Sequence, residues 1–142
     1  MKLRDVMTNP VVRIHPDETV EVAARKLTNH NIGVLPVCGD RGQLYGMVTD
    51  RDIVTRCLAA NKLPKDTKVR DVMTGQVLSV TPDTEVAAAA HMMGTRQVRR
   101  LPVVENGRLC GMISLGDLAN SNENSFEAAD ALADITSNIS MR

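Results

Sequence analysis

A hydroxyl followed three residues later by a carboxylate occurs twice in this chain. The pairs are Thr49–Asp52 within Gly46-Met47-Val48-Thr49-Asp50-Arg51-Asp52-Ile53 and Ser114–Asp117 within Gly111-Met112-Ile113-Ser114-Leu115-Gly116-Asp117-Leu118. In both, an apolar β-forming run ends at the hydroxyl, so the pattern predicts a strand delivering its last side chain to a helix start. There the hydroxyl can cap the helix and the carboxylate sits in the first turn. A helix start carries unpaired N–H groups and partial positive charge, and can hold an anion. A carboxylate in that place can instead accept hydrogen bonds from paired hydroxyls, such as those of a ribose. One such pair alone is ordinary cap chemistry, and the repetition is what makes it a candidate site.

The repetition extends through most of the chain. Arg4-Asp5-Val6-Met7-Thr8 recurs letter for letter as Arg70-Asp71-Val72-Met73-Thr74, Pro16-Asp17 as Pro82-Asp83, and Leu35-Pro36-Val37 as Leu101-Pro102-Val103. Residues 4–37 match their counterparts 66 positions later at 14 of 34 places, and a one-residue deletion then aligns Gly46 with Gly111. Internal duplication of this length means two copies of one structural unit. The copies fall at 1–60 and 69–120, joined by a linker at 61–68 around Leu63-Pro64-Lys65 and followed by a tail at 121–142.

Each copy reads as β-α-β-β-α, an α/β (α+β) unit. A β-rich run (Val11–His15, Val77–Thr81) stops at Pro-Asp, which opens a helix. The helix has an apolar face at i, i+3, i+4 and i+7: Val20, Ala23, Ala24 and Leu27, then Val86, Ala89, Ala90 and Met93. Two strands follow, Gly33–Cys38 and Gln43–Thr49, then Arg99–Glu105 and Arg108–Ser114. Their turns are Gly39-Asp40-Arg41-Gly42 and Asn106-Gly107, the second a strong hairpin signal. Ile53, Val54, Cys57 and Leu58 form the apolar side of the closing helix. Two such units are expected to pack through their sheets about a pseudo-two-fold axis. In the tail, 126–139 predicts a short amphipathic helix with Phe126, Ala129, Leu132, Ala133, Thr136 and Ile139 on one stripe, which must pack on its own body or on a second subunit.

Composition narrows the function. The 17 basic and 17 acidic residues cancel, and Tyr45 and Phe126 are the only aromatics, so neither a basic field nor a base-stacking surface favours nucleic acid. No apolar run has membrane-spanning length. Cys38, Cys57 and Cys110 are odd in number and widely spaced, which predicts reduced thiols in a cytoplasmic protein. A redox or metal-responsive role through Cys38 and Cys110 is the minor alternative. Catalysis has weak support. Asp50 and Asp52 diverge at a helix start, and the second copy has Leu115 in place of Asp50. His15, His30 and His91 show no metal-ligand spacing, and no phosphate-loop motif is present. The expectation is no enzyme, no catalytic cofactor and no metal.

The duplicated V-M-T, P-D-x-T-V-x-x-A, L-P-V and G-M-(V/I)-(T/S)-x-x-D segments resemble a tandem pair of CBS (cystathionine β-synthase) domains over roughly residues 1–120. The resemblance implies a stand-alone regulatory module, often a homodimer, that binds an adenosyl ligand (AMP, ADP or ATP, or alternatively S-adenosylmethionine) in the cleft between repeats. It implies Asp117 on the ribose, Ser114 on ribose or phosphate, and Met112, Ile32 and Gly33 around the adenine. Arg99 and Arg100 fall on the phosphates, with Asn9 and Pro10 at the adenine end. The second, weaker cleft has Asp52, Thr49, Met47 and Val98. It lacks the arginine pair, because the first copy has Gly33-Val34 there, and Arg51 is its nearest substitute. The rival reading is a ligandless interaction module, with a dimer or client protein as partner.

Overall fold

The computed structural model describes residues 1–119 and 131–135. Its elements are α1 (Val20–His30), β1 (Val34–Cys38), β2 (Leu44–Thr49), α2 (Asp50–Ile53), α3 (Val86–Arg96), β3 (Arg100–Glu105), β4 (Arg108–Ser114) and α4 (Leu115–Ala119). They form two two-stranded sheets, β1–β2 and β3–β4, with β1 and β2 antiparallel. The hairpin expected at Asn106-Gly107 is present, with φ of 54° and 77° at the two turn residues, the left-handed pair that a tight two-residue turn demands.

The chain divides into two compact units that cut across the sequence repeats. One comprises Met1–Val11, Leu78–Asn106 and the described residues from Cys110 onward; the other comprises Val12–Val77 and Gly107–Leu109. The opening segment of each repeat is therefore built into the unit formed by the other repeat.

In the first unit, the N–H groups of Leu3 and Arg4 donate to the carbonyls of Thr84 and Pro82, and Thr8 and Met112 exchange backbone bonds of 2.8 and 3.1 Å. In the second, Val69 and Arg70 donate to Glu18 and Pro16, and Met47 and Thr74 exchange bonds of 3.0 and 2.9 Å. These are the same bonds at equivalent positions. Arg4 pairs with Asp83 in one unit and Arg70 with Asp17 in the other. The segments also fill the cores: Leu3 is fully buried among Val86, Ala89, Met93 and Ile113, and Val69 and Val72 among Val20, Leu35 and Val48. Each buried aliphatic side chain stabilises by about 1.5–3 kcal/mol.

Close backbone approach explains a glycine in each copy. A Cβ on Gly46 would stand 2.3 Å from the Thr74 carbonyl oxygen, and one on Gly111 would stand 2.8 Å from that of Thr8.

The structure corrects three expectations. The runs at 11–15 and 77–81 are not strands. Ile14 and Val80 make single parallel bridges to Val37 and Val103. Pro36 and Pro102 follow the first residue of each pairing strand's apolar core and have no N–H to extend those ladders. Of the expected apolar side of the second helix, Ile53 and Cys57 are buried, whereas Val54 and Leu58 are 54% and 52% exposed. The reason is a wider, π-helical turn over Val54–Leu58, which changes the face presented. Within 61–68, the stretch read as the linker, Thr67 is buried, its hydroxyl donates to the Leu63 carbonyl, and its own carbonyl accepts the first N–H of α1.

In the tail, residues 131–135 are helical, with Ala131 and Ile135 buried and Leu132 and Ala133 exposed, so the stripe faces one position away from the expected one. Phe126, Ala129, Thr136 and Ile139 lie outside the described residues. What packs beneath Ala131 is the chain's own α3 at Gly94, where a Cβ would come within 3.2 Å of the Ala131 Cα.

Two outcomes follow. Gly46→Ala or Gly111→Ala should destabilise the fold by about 2 kcal/mol or more in urea denaturation, through forced separation of the paired backbones. Gly75→Ala, with open space around it, should stay within about 0.5 kcal/mol. Separately, the hydrogen bond and charge of Arg4 hold the Asp83 carboxyl below its ordinary value of 3.8. A depressed folded-state value gives a contribution that is complete above the ordinary value and is lost as pH falls through the folded one. Asp83→Asn should therefore flatten the loss of stability below about pH 4, measured by denaturation across pH.

Candidate functional site

Both hydroxyl–carboxylate pairs close into reciprocal caps. The Ser114 hydroxyl accepts from the Asp117 N–H at 3.1 Å, and Asp117 Oδ2 accepts from the Ser114 N–H at 3.0 Å. Thr49 and Asp52 make the same two bonds, each of 3.0 Å. Such a box satisfies two donors that a helix start otherwise leaves open. One carboxylate oxygen is used in each case, and the units differ in the other. Asp52 is buried and its Oδ1 faces the Arg56 guanidinium at 3.9 Å. Arg56 in turn donates to the Val72 and Met73 carbonyls. Asp117 is half-buried, and among the described residues its Oδ1 has no partner.

A second tie sets the neighbours of the cap. The first N–H of α4, that of Leu115, donates to the Arg99 carbonyl at 3.0 Å. This holds the start of β3 beside the end of β4. Arg99, Arg100, Ser114, Leu115, Gly116 and Leu132 consequently line one cavity of about 280 Å³, near the lower size limit of small-molecule sites. Both arginines are exposed, and among the described residues neither meets a carboxylate. The other unit repeats the tie, with Asp50 N–H donating to the Gly33 carbonyl at 3.2 Å, but carries no cation there. Nothing steric demands that glycine, since a Cβ would meet only Asp50 Oδ2 at an ordinary 3.7 Å. The two frames match and their charges do not.

The remaining expected positions are distributed as follows. Met112 and Met47 are half-buried on β4 and β2 at the residues that pair with Thr8 and Thr74; Asn9 and Pro10, both exposed, directly follow Thr8. Val98 packs half-buried against the core of the first unit, and Ile32 against that of the second, beside Gly33. Arg51 is exposed on α2. Asp117, Met112, Asn9 and Pro10 do not line the arginine cavity. Sequence reasoning missed Leu115, Gly116 and Leu132 as cavity walls, and Arg56 as the partner of Asp52. The Asp52–Arg56 spacing of four on a helix was a usable signal; Leu132 had none.

None of the three thiols is in a disulfide; Cys38 and Cys57 are buried and Cys110 is half-buried. Burial pushes the Cys38 thiol above its ordinary value, against a smaller opposing pull from Arg13, which works against a reactive thiolate. Among the described residues no cluster of three or more His, Cys, Asp or Glu could hold a metal ion, and no helix is long and apolar enough to cross a membrane.

With this geometry the chain can be compared with known proteins. Residues 3–59 and 69–123 each match the CBS domain. Hypoxic response protein 1 of Mycobacterium tuberculosis is 36% identical over 116 residues, 82% of this chain and 81% of its own. A crystal structure of Hypoxic Response Protein I with two coordinated zinc ions is similar at a TM-score of 0.77 and 35% identity, over 84% of this chain and 98% of that one. CBSX2 in complex with AMP is similar at 0.74 and 29%, over 84% and 93%. The CBS domain pair of MJ0100 in complex with 5-methylthioadenosine and S-adenosyl-L-methionine is similar at 0.73 and 28%, over 84% and 94%. Two matched repeats, the mixed α/β elements and these structural likenesses agree: the chain belongs to the CBS domain family, as a tandem pair.

Proposed function

We propose that this protein is a cytoplasmic regulatory module, not an enzyme, that binds an adenine nucleotide (AMP, ADP or ATP) at the Ser114–Asp117 cap. The observation that carries the reading is the pair Arg99 and Arg100, exposed in one cavity with Ser114 and facing no carboxylate among the described residues. Two guanidinium groups lining one cavity favour an anion there, and a phosphate supplies it with charge-assisted hydrogen bonds. Asp117 accepts the ribose hydroxyls through Oδ1, Ser114 stands between ribose and phosphate, and Met112 with Asn9 and Pro10 takes the base. The AMP complex of CBSX2 supports an adenosyl ligand. The complex of MJ0100 keeps S-adenosylmethionine as the alternative, but that ligand has no phosphate for the arginines. In the other unit, Asp52 with Thr49, Met47 and Arg51 offers the same cap with its carboxylate already engaged by Arg56, and binds more weakly.

Ligand binding acts by favouring one arrangement of the module over another, and so changes its contacts with a second copy or a client protein. Val54 and Leu58, one turn apart and exposed, support a homodimer surface. A ligandless interaction module remains the second reading, because each reciprocal cap is complete without any ligand.

The test is a thermal-shift titration with AMP, ADP, ATP and S-adenosylmethionine. Ligand at 100 times its dissociation constant should stabilise by about 2.7 kcal/mol, several degrees in Tm. Asp117→Ala should cost about 1 kcal/mol without ligand, as a lost cap, and should abolish the shift. Arg100→Ala should abolish the shift for the nucleotides with little change in basal stability. Absence of any shift in folded, nucleotide-free protein would favour the ligandless module.

A further inference from the structure

We propose that Leu132, on the helical stretch 131–135, is a ligand-contacting residue of the arginine cavity. Occupancy of that cavity by the phosphate end of a nucleotide then stabilises docking of the stretch on α3. The inference rests on the nucleotide reading above and adds to it an element outside the duplicated repeats.

Four observations converge. Leu132 is a wall of the cavity that Arg99, Arg100 and Ser114 line. It is 46% exposed, whereas Ala131 and Ile135 on either side of it are 3% and 4% exposed. The stretch thus turns Ala131 and Ile135 to the protein and leaves Leu132 facing the cavity. Ala131 rests on a close approach, since a Cβ at Gly94 of α3 would stand 3.2 Å from the Ala131 Cα and 2.9 Å from the Asp134 carboxylate, so that the stretch would have to shift by a few tenths of an ångström. Arg99 and Arg100 supply the charge that retains a phosphate next to Leu132, with no carboxylate competing among the described residues.

Among the described residues two buried side chains hold the stretch; an element with few buried contacts has a low local opening free energy, so modest ligand contact moves its equilibrium. A bound nucleotide covers apolar surface of Leu132 that is otherwise wet, and this contact exists only while the stretch is docked. By linkage, docking and nucleotide affinity must then raise each other by the same factor. Docking of the stretch is thus one route by which occupancy of the cavity is passed to another surface.

The experiment is amide hydrogen exchange of the full chain with AMP, ADP, ATP and adenosine, beside calorimetric titration of the same samples. Nucleotides should slow exchange at 131–135 by about tenfold, and adenosine, which lacks phosphate, should not. Leu132→Ser, a change at an exposed position, should weaken nucleotide binding about three- to tenfold. Gly94→Ala should speed basal exchange at 131–135 and weaken binding to a similar degree. Were the stretch not docked there, that substitution would only strengthen α3. Nucleotide binding with unchanged exchange at 131–135 and unaltered affinity of Leu132→Ser would overturn the inference and leave the nucleotide reading standing. Equal protection by adenosine would overturn it too, by separating the effect from the arginines. No calorimetric binding of any nucleotide to the wild-type chain would overturn both.

Discussion

The pressing of the Thr8 and Thr74 carbonyls against strand glycines is the constraint on which the rest of the structure depends. A backbone that close to Gly111 or Gly46 can exchange both of its hydrogen bonds with the next strand residue, Met112 or Met47. That exchange extends each two-stranded sheet by a residue borrowed from the other repeat. It also fixes the course of the preceding segment, so that Leu3 in one unit and Val69 and Val72 in the other reach the core. Neither sequence repeat supplies all the parts of its own unit.

Magnitudes separate what holds these segments from what decorates them. The Arg4–Asp83 and Arg70–Asp17 pairs lie on exposed side chains, where water and salt screen most of their attraction. Burial of Leu3, Val69 and Val72 contributes about 1.5–3 kcal/mol each, and the backbone bonds remove donors that would otherwise be stranded. The apolar anchors and the paired backbone win over the ion pairs.

The same scaffold then carries two helix caps with surroundings of different charge. In both units a cap joins strand to helix, and a backbone bond ties the helix start to the residue before the neighbouring strand's core. At that residue one unit has Arg99 and the other Gly33. The cap carboxylate of one unit keeps an oxygen without a partner among the described residues, while Arg56 occupies that of the other. Duplication preserved the frame while the charges around it differ.

Much of this was legible from residues alone, because it is local. The cap spacing, the helix faces at Val20–Leu27 and Val86–Met93, the Asn106-Gly107 turn and the duplication each depend on residues within a few positions of one another, or on identity between copies. Three features were not legible. Proline at 36 and 102 limits the first strand of each copy to one bridge, which depends on which chain lies alongside. The π-helical turn at Val54–Leu58 shifts an apolar stripe that ideal spacing would bury. Leu132 reaches a cavity wall through the docking of Ala131 on Gly94, a contact between residues 37 positions apart. The sequence by itself determined the repeated unit, the caps and the positive pair at Arg99-Arg100, since short-range geometry and charge are written in residue order. Only the tertiary structure decided which repeat's segment completes which core and what walls the arginines. Those outcomes turn on backbone approaches that no local pattern encodes.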